Sequence, residues 1–174
     1  MPKKTPLLTT GRLTLRPFEE GDMEDALAIF YCDEVRATYM LPDFPDRSAA
    51  EALFARIRAV SLLPRRINYA IALNGRLIGF INDCGIDSES AELGYVIHPA
   101  HWGQGYATEA LRAVIDELFR MGLRRVCAAH FAENTASARV MQKAGMRLSG
   151  QEETIEYRGA PRRCIYYEIT NDPK

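Results

Sequence analysis

One stretch constrains this chain more than any other. Residues 92–110 run Glu-Leu-Gly-Tyr-Val-Ile-His-Pro-Ala-His-Trp-Gly-Gln-Gly-Tyr-Ala-Thr-Glu-Ala. The first part reads as a strand, Pro99 opens a short loop, and a long helix follows that starts among glycines. No Ser, Thr, Asp or Asn stands at the helix start to cap it, so the first N–H groups are left free. Gly103 and Gly105 let a ligand come close to those amides. Free amides at the positive end of a helix dipole form an anion site suited to phosphate or pyrophosphate. The stretch therefore predicts a strand–loop–helix unit that binds a phosphorylated cofactor.

The rest of the chain reads as one domain over residues 1–174, with no repeat, linker or low-complexity tract. Residues 12–17 alternate as a strand that Pro17 ends. Asp22 is placed to cap a helix over about 23–31, and Ser48 starts a second that stops before Pro64. Strands over 67–73 and 77–84 flank Asn74-Gly75, a strong hairpin signal, and a third antiparallel strand covers about 91–97. The helix from Gln104 to Met121 carries Ala107, Ala110, Leu111, Val114, Ile115 and Leu118 as one apolar stripe, and Gly122 closes it. A strand over 124–130, a helix from Asn134 to Ala144 and a hairpin over 146–154 and 163–169 complete the order. That order predicts an α+β domain with a mixed sheet of about seven strands and helices on both faces.

Composition excludes several classes. A formal net charge of −1 gives no field that favours nucleic acid or an anionic membrane. No apolar run approaches the ~18 residues that cross a bilayer, and Met-Pro-Lys-Lys-Thr does not read as a signal peptide. Cys32, Cys84, Cys127 and Cys164 show no C-x-x-C spacing and read as reduced thiols of a cytoplasmic protein. His98 and His101 lack further ligands, so no metal is expected.

Three phosphate-binding readings compete. Nothing matches the Walker A loop. The dinucleotide fingerprint fails because Thr108 takes the third glycine position and Arg124 and Arg125 stand where an acidic ribose ligand is needed. The third fits. Trp102-Gly103-Gln104-Gly105-Tyr106-Ala107 resembles motif A of the GNAT N-acetyltransferases, [QR]-x-x-G-x-[GA], with Trp102 in place of the usual Gln or Arg. The segment from Glu133 through Asn134, Ser137 and Met141 to Gly145-Met146 resembles the family's second motif. The likeness covers nearly the whole chain and is greatest to the ribosomal-protein N-terminal acetyltransferases.

The resemblance implies the acyl-CoA N-acyltransferase fold, a mostly antiparallel sheet splayed between its fourth and fifth strands. It implies acetyl-CoA as cosubstrate, with the pantetheine arm along the backbone of Tyr95, Val96, Ile97 and His98. The pyrophosphate would lie on the amides of Gly103, Gln104, Gly105, Tyr106, Ala107 and Thr108, with Asn134 and Ser137 as further contacts. The implied reaction is direct attack by a primary amine in a ternary complex, with a protein N-terminus or a small amine as acceptor. A homodimer is plausible.

The catalytic groups are less defined. A base must take the ammonium proton, and Glu92 and His130 compete for that role with plain structural duties. Many family members carry a tyrosine acid seven residues after the asparagine. Here that position is Met141, which cannot donate, so Ser137 is the substitute candidate. Glu109 reads as a dipole partner, and Asn134 as helix cap, cofactor ligand or both. Arg139 and Lys143 are candidates for a cofactor phosphate or a solvated face. Tyr39, Met40 and Phe44 are expected to wall the acceptor pocket, and the Arg158–Arg163 cluster is a possible lure for an acidic acceptor. The absence of a defined base leans toward an α-amine or a weakly basic small amine. A non-catalytic acyl-CoA sensor on the same fold is the alternative.

Overall fold

The computed structural model describes residues 2–171. Among them, eight strands form one sheet: β1 (Leu8–Thr9), β2 (Leu13–Arg16), β3 (Asn68–Leu73), β4 (Arg76–Ile86), β5 (Ser90–Ile97), β6 (Arg125–Phe131), β7 (Arg147–Tyr157) and β8 (Ala160–Thr170). Their spatial order is β1-β2-β3-β4-β5-β6-β8-β7, and only the β5–β6 pair is parallel. The sheet thus has one strand more than the seven expected. β1 is two residues long, too short to leave an alternating pattern. The break in the sheet lies between β5 and β6.

Two turns explain the hairpins. Asn74 and Gly75 join β3 to β4 with φ of 50° and 82°, and Arg158 and Gly159 join β7 to β8 with φ of 55° and 70°. Positive φ at both central residues matches the right-handed twist of the strands. The final hairpin consequently runs longer than expected, to Tyr157 on one side and from Ala160 on the other.

Helices cover both faces. α1 (Met23–Tyr31), α2 (Asp33–Thr38) and α3 (Arg47–Ser61) pack on one side over Phe18, Phe80 and Val96. On the other, α4 (Tyr106–Arg120) buries Ala110, Leu111, Val114 and Leu118 against Leu93 and Ala128, beside Met141 of α5 (Thr135–Lys143). Each fully buried Leu or Val there contributes about 1.5–3 kcal/mol by transfer from water. Alternation along β5 sends Leu93, Tyr95 and Ile97 to the α4 side and Val96 to the other.

Two caps differ from expectation. Asp22 precedes α1 but makes no capping bond; its carboxylate is buried against Arg16 at 2.7 Å and accepts the Glu19 N–H. A buried guanidinium outcompetes a cap, because leaving either charge alone would cost several kcal/mol. Asp46, not Ser48, caps α3, accepting from the Ala49 N–H at 2.9 Å. Among the described residues no helix is long and apolar enough to cross a membrane.

Candidate active site

α4 opens on two left-handed glycines, Gly103 at φ 75° and the N-cap Gly105 at φ 83°. Side chains other than glycine strain at these angles. No side chain caps the helix. Among the described residues the amides of Gly103, Gln104, Gly105, Tyr106, Ala107 and Thr108 meet no acceptor; the next, of Glu109, reaches the Gly105 carbonyl at 3.0 Å.

Glu109 holds this turn in place. Its carboxylate accepts from the Thr10 hydroxyl at 2.6 Å and the Arg12 N–H at 2.8 Å, and pairs with the Arg12 guanidinium at 2.7 Å. Arg12 in turn donates to the Gln104 carbonyl at 2.9 Å and lies over the Tyr106 ring. Burial opposes ionisation of Glu109, but the bonds from Thr10 and Arg12 outweigh it and hold the carboxyl below its usual range. Glu109 is therefore a brace between the β1–β2 turn and α4.

Beside this turn the sheet opens. β5 pairs with β6 only from Ser90↔Arg125 to Leu93↔Ala128, and beyond Leu93 the strands part. The His98 N–H bonds the Ile78 carbonyl at 2.8 Å, on the β4 side. The antiparallel alternation then turns the backbone of Val96 toward β4 and that of Tyr95 and Ile97 toward the gap. The Ile97 carbonyl accepts from the Trp102 indole Nε1 at 2.6 Å. Trp102 thus ties the open strand edge to the glycine turn, a side-chain role that its place in the motif did not reveal.

The gap is part of a cleft of about 790 Å³. Of the residues expected at the cofactor, Tyr95, Val96, Ile97, Gly103, Gly105, Tyr106, Ala107, Thr108, Asn134 and Ser137 line it. Gln104 and His98 do not: the Gln104 side chain meets the Tyr106 hydroxyl, and His98 Nδ1 accepts from the Ala100 N–H. Arg139 and Lys143 stand on its rim.

On the α4–α5 wall, Asn134 Oδ1 accepts the Ser137 N–H at 3.1 Å and so caps α5. The Ser137 hydroxyl lies 2.7 Å from the Tyr95 hydroxyl. Burial raises the Tyr95 phenol strongly, so it stays protonated through the physiological range. Met141 is fully buried in the core. His130 also faces this wall, buried, with Nδ1 on the Phe131 carbonyl at 2.7 Å.

The far end of the cleft lies on the opposite sheet face. Glu92 of β5 is there with Cys84, Glu153, Cys164 and Tyr166. Burial, then the charge of Glu153, raises the Glu92 carboxyl above its usual range. Tyr166 donates to Glu153 at 2.9 Å. Cys84 opens into the cleft but is crowded by protein, and desolvation followed by Glu92 pushes its thiol up to about 11. The expected wall holds for Tyr39 and Met40, with the Tyr39 hydroxyl on Asn82 at 2.6 Å. Phe44 stacks on Phe30 in the core and does not line the cleft. In the arginine cluster, Arg158 pairs with Asp43, Arg162 with Glu133 and Arg163 with Glu152. Its charge is spent within the protein, which leaves little to draw an acidic acceptor.

The arrangement can seat a phosphorylated chain on α4, thread its arm along β5 and present its end to Glu92. Residues 12–147 match the acetyltransferase (GNAT) domain family. The uncharacterized N-acetyltransferase YoaA of Bacillus subtilis is 32% identical over 170 residues, covering 94% of this chain and 96% of that protein. The crystal structure of a GNAT-family acetyltransferase from Bacillus anthracis superposes with a TM-score of 0.79 at 26% identity, covering 94% of this chain and 98% of that one. The ribosomal L7/L12 α-N-protein acetyltransferase RimL, in complex with coenzyme A, shares the fold with a TM-score of 0.81 at 18% identity, covering 94% and 97%. The chain belongs to the GNAT acetyltransferase family, and its enzyme class is acetyl-CoA-dependent N-acetyltransferase.

Proposed function

We propose that this GNAT acetyltransferase moves an acetyl group from acetyl-CoA to a primary amine held at Glu92, by direct attack in a ternary complex. The observation that carries the reading is the run of six unpartnered amides, Gly103 to Thr108, at the mouth of the cleft. Backbone donors on a left-handed glycine turn suit a pyrophosphate, which needs several N–H groups and no side chain in the way. The open edge of β5 beside them suits an amide-bearing arm, which adds to the sheet as a strand would. The Ile97 N–H faces that gap.

Acetyl-CoA supplies the acetyl group already activated as a thioester. The chain's residues handle protons and charge. Glu92 takes the proton from the acceptor ammonium; its raised carboxyl brings it closer to the amine and makes it a stronger base than an exposed glutamate. The Ile97 N–H donates to the thioester carbonyl oxygen as negative charge grows there. The Ser137 hydroxyl gives a proton to the leaving sulfur, and Tyr95, 2.7 Å behind it, refills Ser137. The pair takes over the duty that Met141 cannot perform.

The test is thiol release from acetyl-CoA with an amine panel. Wild type should release coenzyme A only with an acceptor present, and Glu92→Gln should lose about a hundredfold in kcat. Equal rates in the two proteins would remove Glu92 from the mechanism.

A further inference from the structure

The acceptor end of the cleft carries more negative charge than one amine needs. Glu92 and Glu153 both line it, and among the described residues neither makes an ion pair. The side chains between them, Thr38, Tyr39, Asn82, Cys84 and Cys164, are neutral. The nearby guanidinium groups are already engaged: Arg162, over the Phe131 ring, with Glu133 at 3.0 Å, Arg125 with Glu168 at 2.7 Å, and Arg158 with Asp43 at 2.6 Å. The field leaves its mark. Burial and then the carboxylates raise the Cys164 thiol, and burial and the bond to Glu153 raise the Tyr166 phenol.

Proton accounting makes the excess specific. An acceptor ammonium that gives its proton to Glu92 leaves Glu92 neutral and itself uncharged. Glu153 is a second carboxylate facing the same cavity, and it accepts from the Tyr166 hydroxyl at 2.9 Å. Glu153 is exposed and, among the described residues, makes no ion pair; a second ammonium on the acceptor supplies that partner through a charge-assisted hydrogen bond.

The segment that carries the cleft residues Tyr39 and Met40 is also pinned to the final hairpin. The Tyr157 hydroxyl donates to the Arg36 carbonyl at 2.9 Å and accepts from the Leu41 N–H at 3.3 Å. Asp43 sits between Arg36 at 2.5 Å and Arg158 at 2.6 Å. These contacts fasten the β7–β8 tip onto the segment after α2, which favours a short acceptor over a long polypeptide.

We infer that the acceptor is a small dicationic amine, a di- or polyamine, with its reacting nitrogen at Glu92 and its second ammonium at Glu153. This rests on reading the cleft as the acetyl-transfer site. The reacting nitrogen loses one proton to Glu92, forms the bond to the acetyl carbon as the carbon–sulfur bond breaks, and loses a second proton as the amide forms. The sulfur takes one proton by way of Ser137, so one proton is released to solvent per turnover.

The experiment compares n-butylamine, 1,4-diaminobutane, spermidine and an Ala-Ser-initiated peptide as acceptors, after calorimetry with acetyl-CoA alone. The expected kcat/KM for 1,4-diaminobutane or spermidine exceeds that for n-butylamine by at least about tenfold. Glu153→Gln should bring that ratio toward one, chiefly through KM, while Glu153→Asp retains part of it. Tyr166→Phe should lower the ratio less. Glu153 is exposed on β7, so these variants are expected to fold, and thermal unfolding checks it. Failure to bind acetyl-CoA would overturn the reading of the cleft itself. Binding together with equal use of mono- and diamines, preference for the peptide, no acetylation of the panel, or a ratio untouched by Glu153→Gln would overturn the dicationic acceptor alone.

Discussion

Two helices begin at the rim of one cleft, and they treat their first amides in opposite ways. α5 satisfies its own start: Asn134 Oδ1 takes the Ser137 N–H, and the Glu133 carbonyl takes the Thr135 N–H. α4 has Gly105 at the same position, no side-chain cap and, among the described residues, six amides in a row without an acceptor. A cap contributes about 1 kcal/mol to a helix, so leaving one out has a stability cost. α4 offsets that cost with a long buried stripe and with the Glu109–Arg12 brace. A helix that needs no cap to stay folded is free to offer its amides to a ligand. The shorter α5 buries only Met141 fully and carries the side-chain cap that α4 lacks.

The largest expected effect breaks the α4 half. Gly105→Glu adds a side chain at φ 83°, next to Arg12, and puts a carboxylate beside the amides proposed for the phosphates. Acetyl-CoA affinity should fall at least about a hundredfold by calorimetry, about 2.7 kcal/mol, with an added loss of about 1 kcal/mol in stability. Next comes the proton path. Ser137→Ala should lower kcat about a hundredfold and Tyr95→Phe about tenfold, with the KM for acetyl-CoA nearly unchanged in both. The α5 half separates into two roles. Asn134→Ala should cost about 1 kcal/mol of unfolding free energy. Asn134→Asp should keep the cap and that stability, yet still bind acetyl-CoA less tightly, because it loses its N–H donor.

The smallest effect is on pH dependence. The Glu92 carboxyl is raised in the folded state, so its protonated form is the one folding favours. It stabilises the fold fully at pH below its unfolded value near 4.3, and that contribution is lost as pH rises through the higher folded value. Glu92→Gln should therefore raise the Tm slightly at pH 7–8, with the gain vanishing near pH 4. Activity runs the other way: kcat/KM should climb with pH through the raised carboxyl, and the variant should lack that limb.

The contrast between the helices also sorts what the sequence could reveal. The uncapped start of α4 was legible because absence of a capping residue and presence of two glycines are local facts. So were Asn134 and Ser137, three apart at a helix start, and the Asn-Gly hairpin. The acceptor end was not legible. Glu92, Glu153 and Tyr166 come from three strands, and only the register of β6, β8 and β7 beyond the break brings them to one cavity. One signal was available: Glu153 and Ile155 recur with period two along β7, on the face that meets the cleft. The ion pairs of Arg158 and Arg162 join distant segments and that of Arg163 crosses its own hairpin, so composition showed a basic cluster whose members the fold pairs with carboxylates. Asp22 failed as a cap because Arg16, six residues earlier at the end of β2, takes its carboxylate.

In the reading proposed above, the amides of α4 receive the cofactor's phosphates while those of α5 do not. Backbone amide NMR on the 15N-labelled protein, titrated with acetyl-CoA, tests it residue by residue. Gly103 to Thr108 should show large shifts that saturate together, with the capped Ser137 N–H keeping its bond to Asn134 and moving less. Shifts concentrated in the first turn of α5, with Gly103 to Thr108 unmoved, would contradict it.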